Sequence, residues 1–589
     1  MNTTARQLRQ LISSNESYYA PIVEQARREC KLLCETFRDQ PEWISGWGHQ
    51  FACPECAAHL TFDFSMDFNP PNTFLCPNCG KEATGQVFDE AWVYYYRLLV
   101  SEKLESVAVC ALLGDQEALA FLERYFDFYA EHYAGFAIHG QGNGKVMPQV
   151  LDECVWCILL LRAYYPCRHL FSAEKKQYWY EKLFLPVAEL VNAPEIQTSV
   201  HNHVLWHKSA AGSVAVCFED EAFLDEILHG RLGIRELVEK GFTADGLWHE
   251  GSPLYHYYAL EAFTGFCQFF AEKHADDPLI KALEFTHLSA LKLSPDQWSI
   301  PSINDGWYPL PLSRFADQFH RAAMASGSDA LMTQLERVRQ CSPEAIAVPG
   351  ALLIDRVPAG VEIWKHTNLA IFRQPVFAIL KSGVLVRSHK HRDNLSVILP
   401  PFSDDLGTPG YGHPLYKGWY QLAACHNTIA VDGDQPPFVI PTHVEECGEG
   451  VRAVVDGGWE GVVSAQRTVT PGEDTLHDRT EVVCDGERTI DWLFHAAGDV
   501  CFCTEPSEEA ELGAYPGYEH MTGVRAIDCD TLTVSFTLNG RTLALTADTK
   551  GMQVFTAQSP GNPANVLRTA IILRVRADRA VFDVRYTQK

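Results

Sequence analysis

In Ser388–Leu399 the chain reads Ser-His-Lys-His-Arg-Asp-Asn-Leu-Ser-Val-Ile-Leu, which puts His389, His391 and Asp393 at alternate positions. Alternate residues of an extended strand share one face. Two imidazoles and a carboxylate are therefore expected in a polar row on a strand whose far end, Leu395 to Leu399, enters a core. Arg387, Lys390 and Arg392 are expected to project the other way or to stand at the rim. Such a row can move protons or hold a metal. A polar edge strand with surface histidines would account for this stretch equally well.

Three other stretches carry reactive side chains. His201-Asn202-His203-Val-Leu-Trp206-His207-Lys208 opens a helix after the Asn192-Ala-Pro194 break, with more polar groups than a helix cap requires. Asp245-Gly246-Leu-Trp248-His249-Glu250-Gly251-Ser-Pro253-Leu-Tyr255-His256-Tyr257-Tyr258 is a glycine-rich loop running into a helix. There Tyr255 and Tyr258 share a face and Tyr257 turns away; aromatic core packing is the competing account. Asp405 and Tyr411 follow the histidine strand, and His426 precedes a further strand. His391, Asp405 and His426 come from separate segments, and two imidazoles plus one carboxylate with an open position suit zinc. Finally, Cys53-Pro-Glu-Cys56 and Cys76-Pro-Asn-Cys79-Gly80 are two C-x-x-C knuckles at ribbon-type spacing. They are expected to hold a structural zinc through four thiolates, with no open position for chemistry.

The elements that must position these groups follow from pattern. At 589 residues the chain exceeds a single core. Residues 1–50 read as helix, 51–85 as a zinc-ribbon-like insertion, and 86–348 as helix after helix, paired as in an (α/α) toroid. From 349 to 589, short β-branched and aromatic runs alternate with turn dipeptides such as Asp432-Gly433, Asp485-Gly486 and Asn539-Gly540. The expected class is α+β, an incomplete helical toroid followed by an antiparallel β-sandwich.

The formal charge of −27 argues against nucleic acid as a partner. It also means that a site for an anionic substrate must build its own positive pocket. No apolar run is long enough for a membrane span. The 19 cysteines, many inside apolar helices, fit a reducing compartment. With no signal peptide visible, the expected location is cytoplasmic, or extracellular or periplasmic if the chain was trimmed. The oligomeric state is left open, with a homodimer as one possibility.

Taken in order, Asn202-His203, the Glu250–Tyr258 loop-helix, His389-x-His391-x-Asp393, Asp405-x-Gly407-Thr408 and His426-Asn427-Thr428 resemble the motifs of the heparinase II/III-like polysaccharide lyases, which include related alginate lyases. The resemblance covers roughly residues 140–500 and implies β-elimination on a uronic acid: the C5 proton is removed and the bond at C4 breaks. A proton α to a carboxylate is hard to remove unless donors neutralise that carboxylate. The resemblance gives this task to Asn202 and His203, with His389 nearby, and the proton transfer to Tyr258, with Tyr257 as second choice. It implies substrate contacts for Gln149, Glu153, Trp206, His207, Trp248, Glu250, Tyr255, Arg387 and Tyr411, and a second zinc on His391, Asp405 and His426. The partner is then a uronate oligo- or polysaccharide of glycosaminoglycan or alginate type. Where the family reads Glu-Gly-Pro, this chain has Glu250-Gly-Ser-Pro253, which leaves the tyrosine register open; the ribbon is a further departure. The alternatives are a glycoside hydrolase using Asp152, Glu153 or Glu250 as its carboxylate pair, and a glycan-binding protein without catalysis.

Overall fold

The structure, a computed structural model of the chain, describes residues 8–9, 12–13, 16–56, 58–140, 142–295, 299–340, 360–383, 388–433 and 436–588. Helices occupy the first part and antiparallel strands the second, the order expected from pattern. By packing, the chain forms two compact units: residues 1–240 with 261–280, and residues 241–260 with 281–589. No helix among the described residues is long and apolar enough to cross a membrane.

In the first unit the helix Gln86–Leu113 packs on Glu16–Thr36, Gln116–His132 and Val150–Cys167, and the last of these packs on Asn202–Cys217. Gly114, at φ 104°, ends the first of these helices in a left-handed conformation that favours glycine. The next helix starts where the Asp115 carboxylate accepts the Glu117 and Ala118 N–H groups. The helix expected over residues 1–50 stops at Thr36. Beyond it the chain is drawn into a loop by Arg97, a fully buried cation. That guanidinium donates to Asp39 at 2.9 Å and to the carbonyls of Trp43 and Val146 at 3.0 and 2.7 Å. A buried cation needs this many acceptors. The strands Thr73–Leu75 and Glu82–Thr84 pair antiparallel around the second cysteine pair.

In the second unit two sheets share one core. The smaller sheet runs Val361–Trp364, Leu369–Phe372, Ala378–Lys381 and Ser396–Ile398, all antiparallel. Its Ala370, Leu380 and Val397 pack with Val482, Trp492, Leu573 and Phe582 of a twelve-stranded sheet, the sandwich arrangement. Asn539 and Gly540, at φ 50° and 77°, make the expected hairpin turn between Leu538 and Arg541. Asp485-Gly486 does not. The strand Leu476–Ala496 runs straight through it, with a register shift between Val483 and Arg488, and Asp485 caps the bulge by accepting from the Arg488 guanidinium at 2.8 Å.

Arg467, fully buried in the sandwich, pairs with Asp478 and donates to the carbonyls of Leu395 and Asn427 at 2.7 and 2.6 Å. It thereby holds the two segments that carry His391 and His426.

Candidate active site

The polar row on a strand is not formed. Residues 388–395 are turn and loop, and the strand is confined to Ser396–Ile398. His389 and Leu395 have φ of 54° and 58°, which break the pleat twice. Lys390 is also not at a rim; it is 1% exposed. Arg387 lies outside the described residues.

What gathers His389 and His391 is a residue that the spacing did not single out, Asp305. Its Oδ2 accepts from His389 Nδ1 at 3.2 Å and its Oδ1 from His391 Nε2 at 3.0 Å. The Tyr416 hydroxyl donates to both oxygens at 3.0 and 3.1 Å. The Asp305 N–H bonds the His389 carbonyl at 3.2 Å, so the backbone locks the same pairing. Burial alone would raise the Asp305 carboxyl, but the two imidazoles hold it well below the usual range. The only sequence cue is Asn304-Asp305-Gly306, a turn signal inside the helical half, with Asn304 at φ 60°.

Tyr255 lies flat on His389, ring centroids 3.3 Å apart, and its hydroxyl is hydrogen-bonded to that of Tyr411. The Tyr411 hydroxyl is 3.2 Å from His389 Nδ1. On the other side of the imidazole, Nε2 is 3.6 Å from the fully buried Glu250. Two phenols, an imidazole and two carboxylates thus form one proton-exchanging cluster. Burial pushes both phenols above their ordinary value; the bond from Tyr411 offsets this in part for Tyr255, and the Tyr255 and Asp305 charges add to it for Tyr411.

The other tyrosines of this helix have different surroundings. Tyr258 is half-buried, its ring 6.1 Å from that of Tyr255. Tyr257 is a core residue: it is 1% exposed, stacks on Phe315 at 4.2 Å and donates to the His287 carbonyl. Its expected role as an alternative base is corrected on that ground. Trp248 is fully buried against Phe242, so it is packing rather than a substrate contact.

His391, Asp405 and His426 do converge, their ligand atoms within 4.8 Å of one another and all three side chains buried. A carboxylate or carbonyl can only accept, so His391 Nε2 carries its proton toward Asp305 and His426 Nε2 carries its own toward the Tyr420 carbonyl at 3.0 Å. Both Nδ1 lone pairs are left on the inside, and His391 Nδ1 has no hydrogen-bond partner. Asp405 is oriented by the N–H groups of Asn304 and Gly407 at 3.2 and 3.0 Å. Gly407, at φ 59°, lies where a Cβ would stand 2.0 Å from the Gly306 carbonyl oxygen. Imidazoles fixed through their second nitrogen are what a divalent metal needs. Asp393 accepts from the buried Lys381 ammonium at 2.6 Å and lies 3.8 Å from His426 Nδ1.

In the first unit the Cys53, Cys56, Cys76 and Cys79 sulfurs also lie within 4.8 Å of one another, three of the pairs at 3.6 Å. Four thiolates about 2.3 Å from a tetrahedral zinc would be spaced about 3.8 Å apart. Asn202 is buried at the first turn of its helix, behind His201, whose Nδ1 accepts the His203 N–H at 3.3 Å. His207 meets Gln197 at 3.3 Å, and burial pushes its imidazole down to about 3, so it stays neutral. Trp206 is 2% exposed. Gln149 stands at the cap position of the helix Val150–Cys167 without a side-chain bond to its free N–H groups, its side chain bonding Asp152 instead, and borders a cavity of about 440 Å³. Glu153 is fully buried and accepts from Tyr133 and from the N–H groups of Lys145, Val146 and Met147. It therefore clamps a loop, and its expected substrate contact is corrected.

Residues 172–282 match the alginate lyase family model. Among curated proteins the chain is similar to an alginate lyase of Stenotrophomonas maltophilia, 30% identical over 26% of this chain and 22% of that protein. It is also similar to an exo-oligoalginate lyase of Saccharophagus degradans, 28% identical over 30% of this chain and 25% of that one. The matches therefore span about a quarter of the length of these relatives. Among solved structures, heparinase III superposes with a TM-score of 0.62 at 13% identity, covering 100% of this chain and 92% of that one. A heparan sulfate lyase of Pedobacter heparinus gives 0.59 at 13% identity, covering 100% and 91%. At these identities the likeness is one of fold. Residues 172–282 thus match an alginate lyase model, and the chain as a whole has the fold of the heparinases.

Proposed function

We propose that this protein is a polysaccharide lyase that cleaves a uronic-acid glycan by β-elimination, with alginate-type chains as the first substrates to test. The observation that carries the reading is the hydrogen-bonded Tyr255–Tyr411–His389–Asp305 cluster. Breaking the C4–O bond requires a base to take the C5 proton and an acid to give one to the departing oxygen; a C4–C5 double bond is left behind. His389, backed by Asp305, is the base. Tyr255, kept protonated by burial and coupled to Tyr411, is the acid. Asn202 and His203 enter on their motif, as the donors that neutralise the uronate carboxylate. Stacking of Tyr255 on His389 moves the tyrosine role from Tyr258, the expectation from the resemblance, to Tyr255.

His391, Asp405 and His426 would hold one zinc and Cys53, Cys56, Cys76 and Cys79 another. When bound, the first supplies a fixed positive charge that braces the loop carrying His389, and the second closes the knuckle. The hydrolase alternative loses ground, because Glu153 is committed to a loop and Asp152 adjoins it in the same buried helix start.

The test is incubation with alginate and glycosaminoglycan oligosaccharides, read by the ultraviolet absorbance of an unsaturated uronate and by product mass. Products carrying the unsaturation, lost in Tyr255→Phe, support the reading. Reducing ends without unsaturation would replace it with hydrolysis.

A further inference from the structure

Beside His389 the second unit contains a cavity of about 380 Å³ whose walls include Lys390, Arg392, Lys417, Gln421 and Phe438. Three cations thus line one small cavity in a chain of net charge −27. Asp305 also borders it, but its oxygens are already taken by His389, His391 and Tyr416. Two of the three cations are held in place. Lys390 is 1% exposed, and the Arg392 guanidinium lies over the Phe438 ring at 4.4 Å. The Arg392 N–H donates to the Gln421 carbonyl at 2.9 Å. The Gln421 amide donates to the Tyr416 hydroxyl at 2.8 Å, which ties the wall to the catalytic cluster. An ammonium pair, a guanidinium, an amide and an aromatic ring around a space of this size suit one acidic sugar.

We propose that this cavity is a subsite for the carboxylate of the sugar adjoining the one that is cut. The enzyme would then prefer chains in which consecutive sugars are uronates over chains in which uronates alternate with amino sugars. The inference rests on the lyase reading above and names its substrate class. A lone reacting uronate would need one acid-binding set, the task given above to Asn202 and His203; Lys390, Arg392 and Lys417 are a second set, around a cavity that His389 and Asp305 of the proton-transfer cluster also border.

The test compares wild type, Lys417→Ala, Arg392→Ala and the double variant on unsulfated oligosaccharides of both kinds and on sulfated alternating ones, measuring kcat and KM by unsaturated-product formation and Kd by titration calorimetry. For wild type we expect a clear preference for the consecutive uronate. In the double variant KM and Kd on that substrate should rise about tenfold or more, with kcat little changed and the preference lost. Lys417 is exposed, so its single variant keeps the test usable if Arg392→Ala does not fold. Unchanged KM and Kd in the folded variants would overturn the subsite, as would equal wild-type use of both kinds of chain. A preference for sulfated alternating chains, lost in the double variant, would overturn the carboxylate assignment. Absence of elimination by wild type on every uronate would refute the lyase reading instead, while the calorimetric difference between wild type and variants still decides the subsite.

Discussion

Glu153 and Asp305 are both carboxylates removed from solvent, at 0% and 2% exposure, and they do opposite things. Glu153 accepts from three backbone N–H groups and one phenol. Three of those four donors are amides that cannot give up a proton, and they tie the carboxylate to the 145–147 loop. Asp305 accepts from two imidazoles and from the phenol of Tyr416, all of which exchange protons. Burial pushes Glu153 upward despite its donors, whereas the imidazoles pull Asp305 downward past the same penalty. Burial alone does not reveal the role of a carboxylate. The chemistry of its donors does.

The contrast can be broken most directly at Asp305. Asp305→Ala should lower kcat on the order of 10³-fold, within the range for losing an acid–base assembly, and Asp305→Asn should recover folding but not rate. An active Asp305→Ala enzyme would remove the cluster from the chemistry. Tyr255→Phe should cost on the order of 10²-fold or more in kcat while Tyr258→Phe costs little; the reverse order would restore the residue favoured by the resemblance. Glu153→Gln, in contrast, should cost about 3 kcal/mol of stability in denaturant titration, with kcat per folded molecule retained.

Two smaller effects sharpen the same comparison. Elemental analysis should find two zinc ions per chain. His426→Ala should lose one together with activity; Cys53→Ser should lose the other with a lower thermal midpoint and an unchanged kcat. Beside Glu153, burial raises Asp152 to about 7. Folding therefore retains a proton that the unfolded chain releases near pH 4, and stability falls as pH rises from about 4 to about 7. Asp152→Asn should flatten that slope, as read from unfolding midpoints across the range.

Much of this was legible in the sequence where the deciding contacts are local. The cysteine knuckles, the change from helical to alternating patterns, and the Asn539-Gly540 hairpin depend on neighbours a few residues away. The His391, Asp405 and His426 group was picked out by residue type and reinforced by the resemblance, and its members meet in space. Asp305 escaped because its partners His389 and His391 are 84 and 86 residues distant, and no local pattern encodes such a meeting. Tyr255 and Tyr258 share a helix face, so spacing could not separate them; the deciding partner, Tyr411, is 156 residues from Tyr255. Asp485-Gly486 misled for the opposite reason. A strong local turn signal was overridden by a strand whose pairing with Leu567–Gln588 continues on both sides.

Arg467 gives the second unit a particular way of failing. One guanidinium, sealed in the sandwich, holds the carbonyls of Leu395 and Asn427 and so serves the sheet and the loops around His391 and His426 at once. Losing one partner of such a buried pair costs about 3–5 kcal/mol. The loops therefore have no early, separate melting step: heat inactivation and loss of sheet structure should follow a single curve, and a milder temperature should not leave a folded sandwich with a dead site.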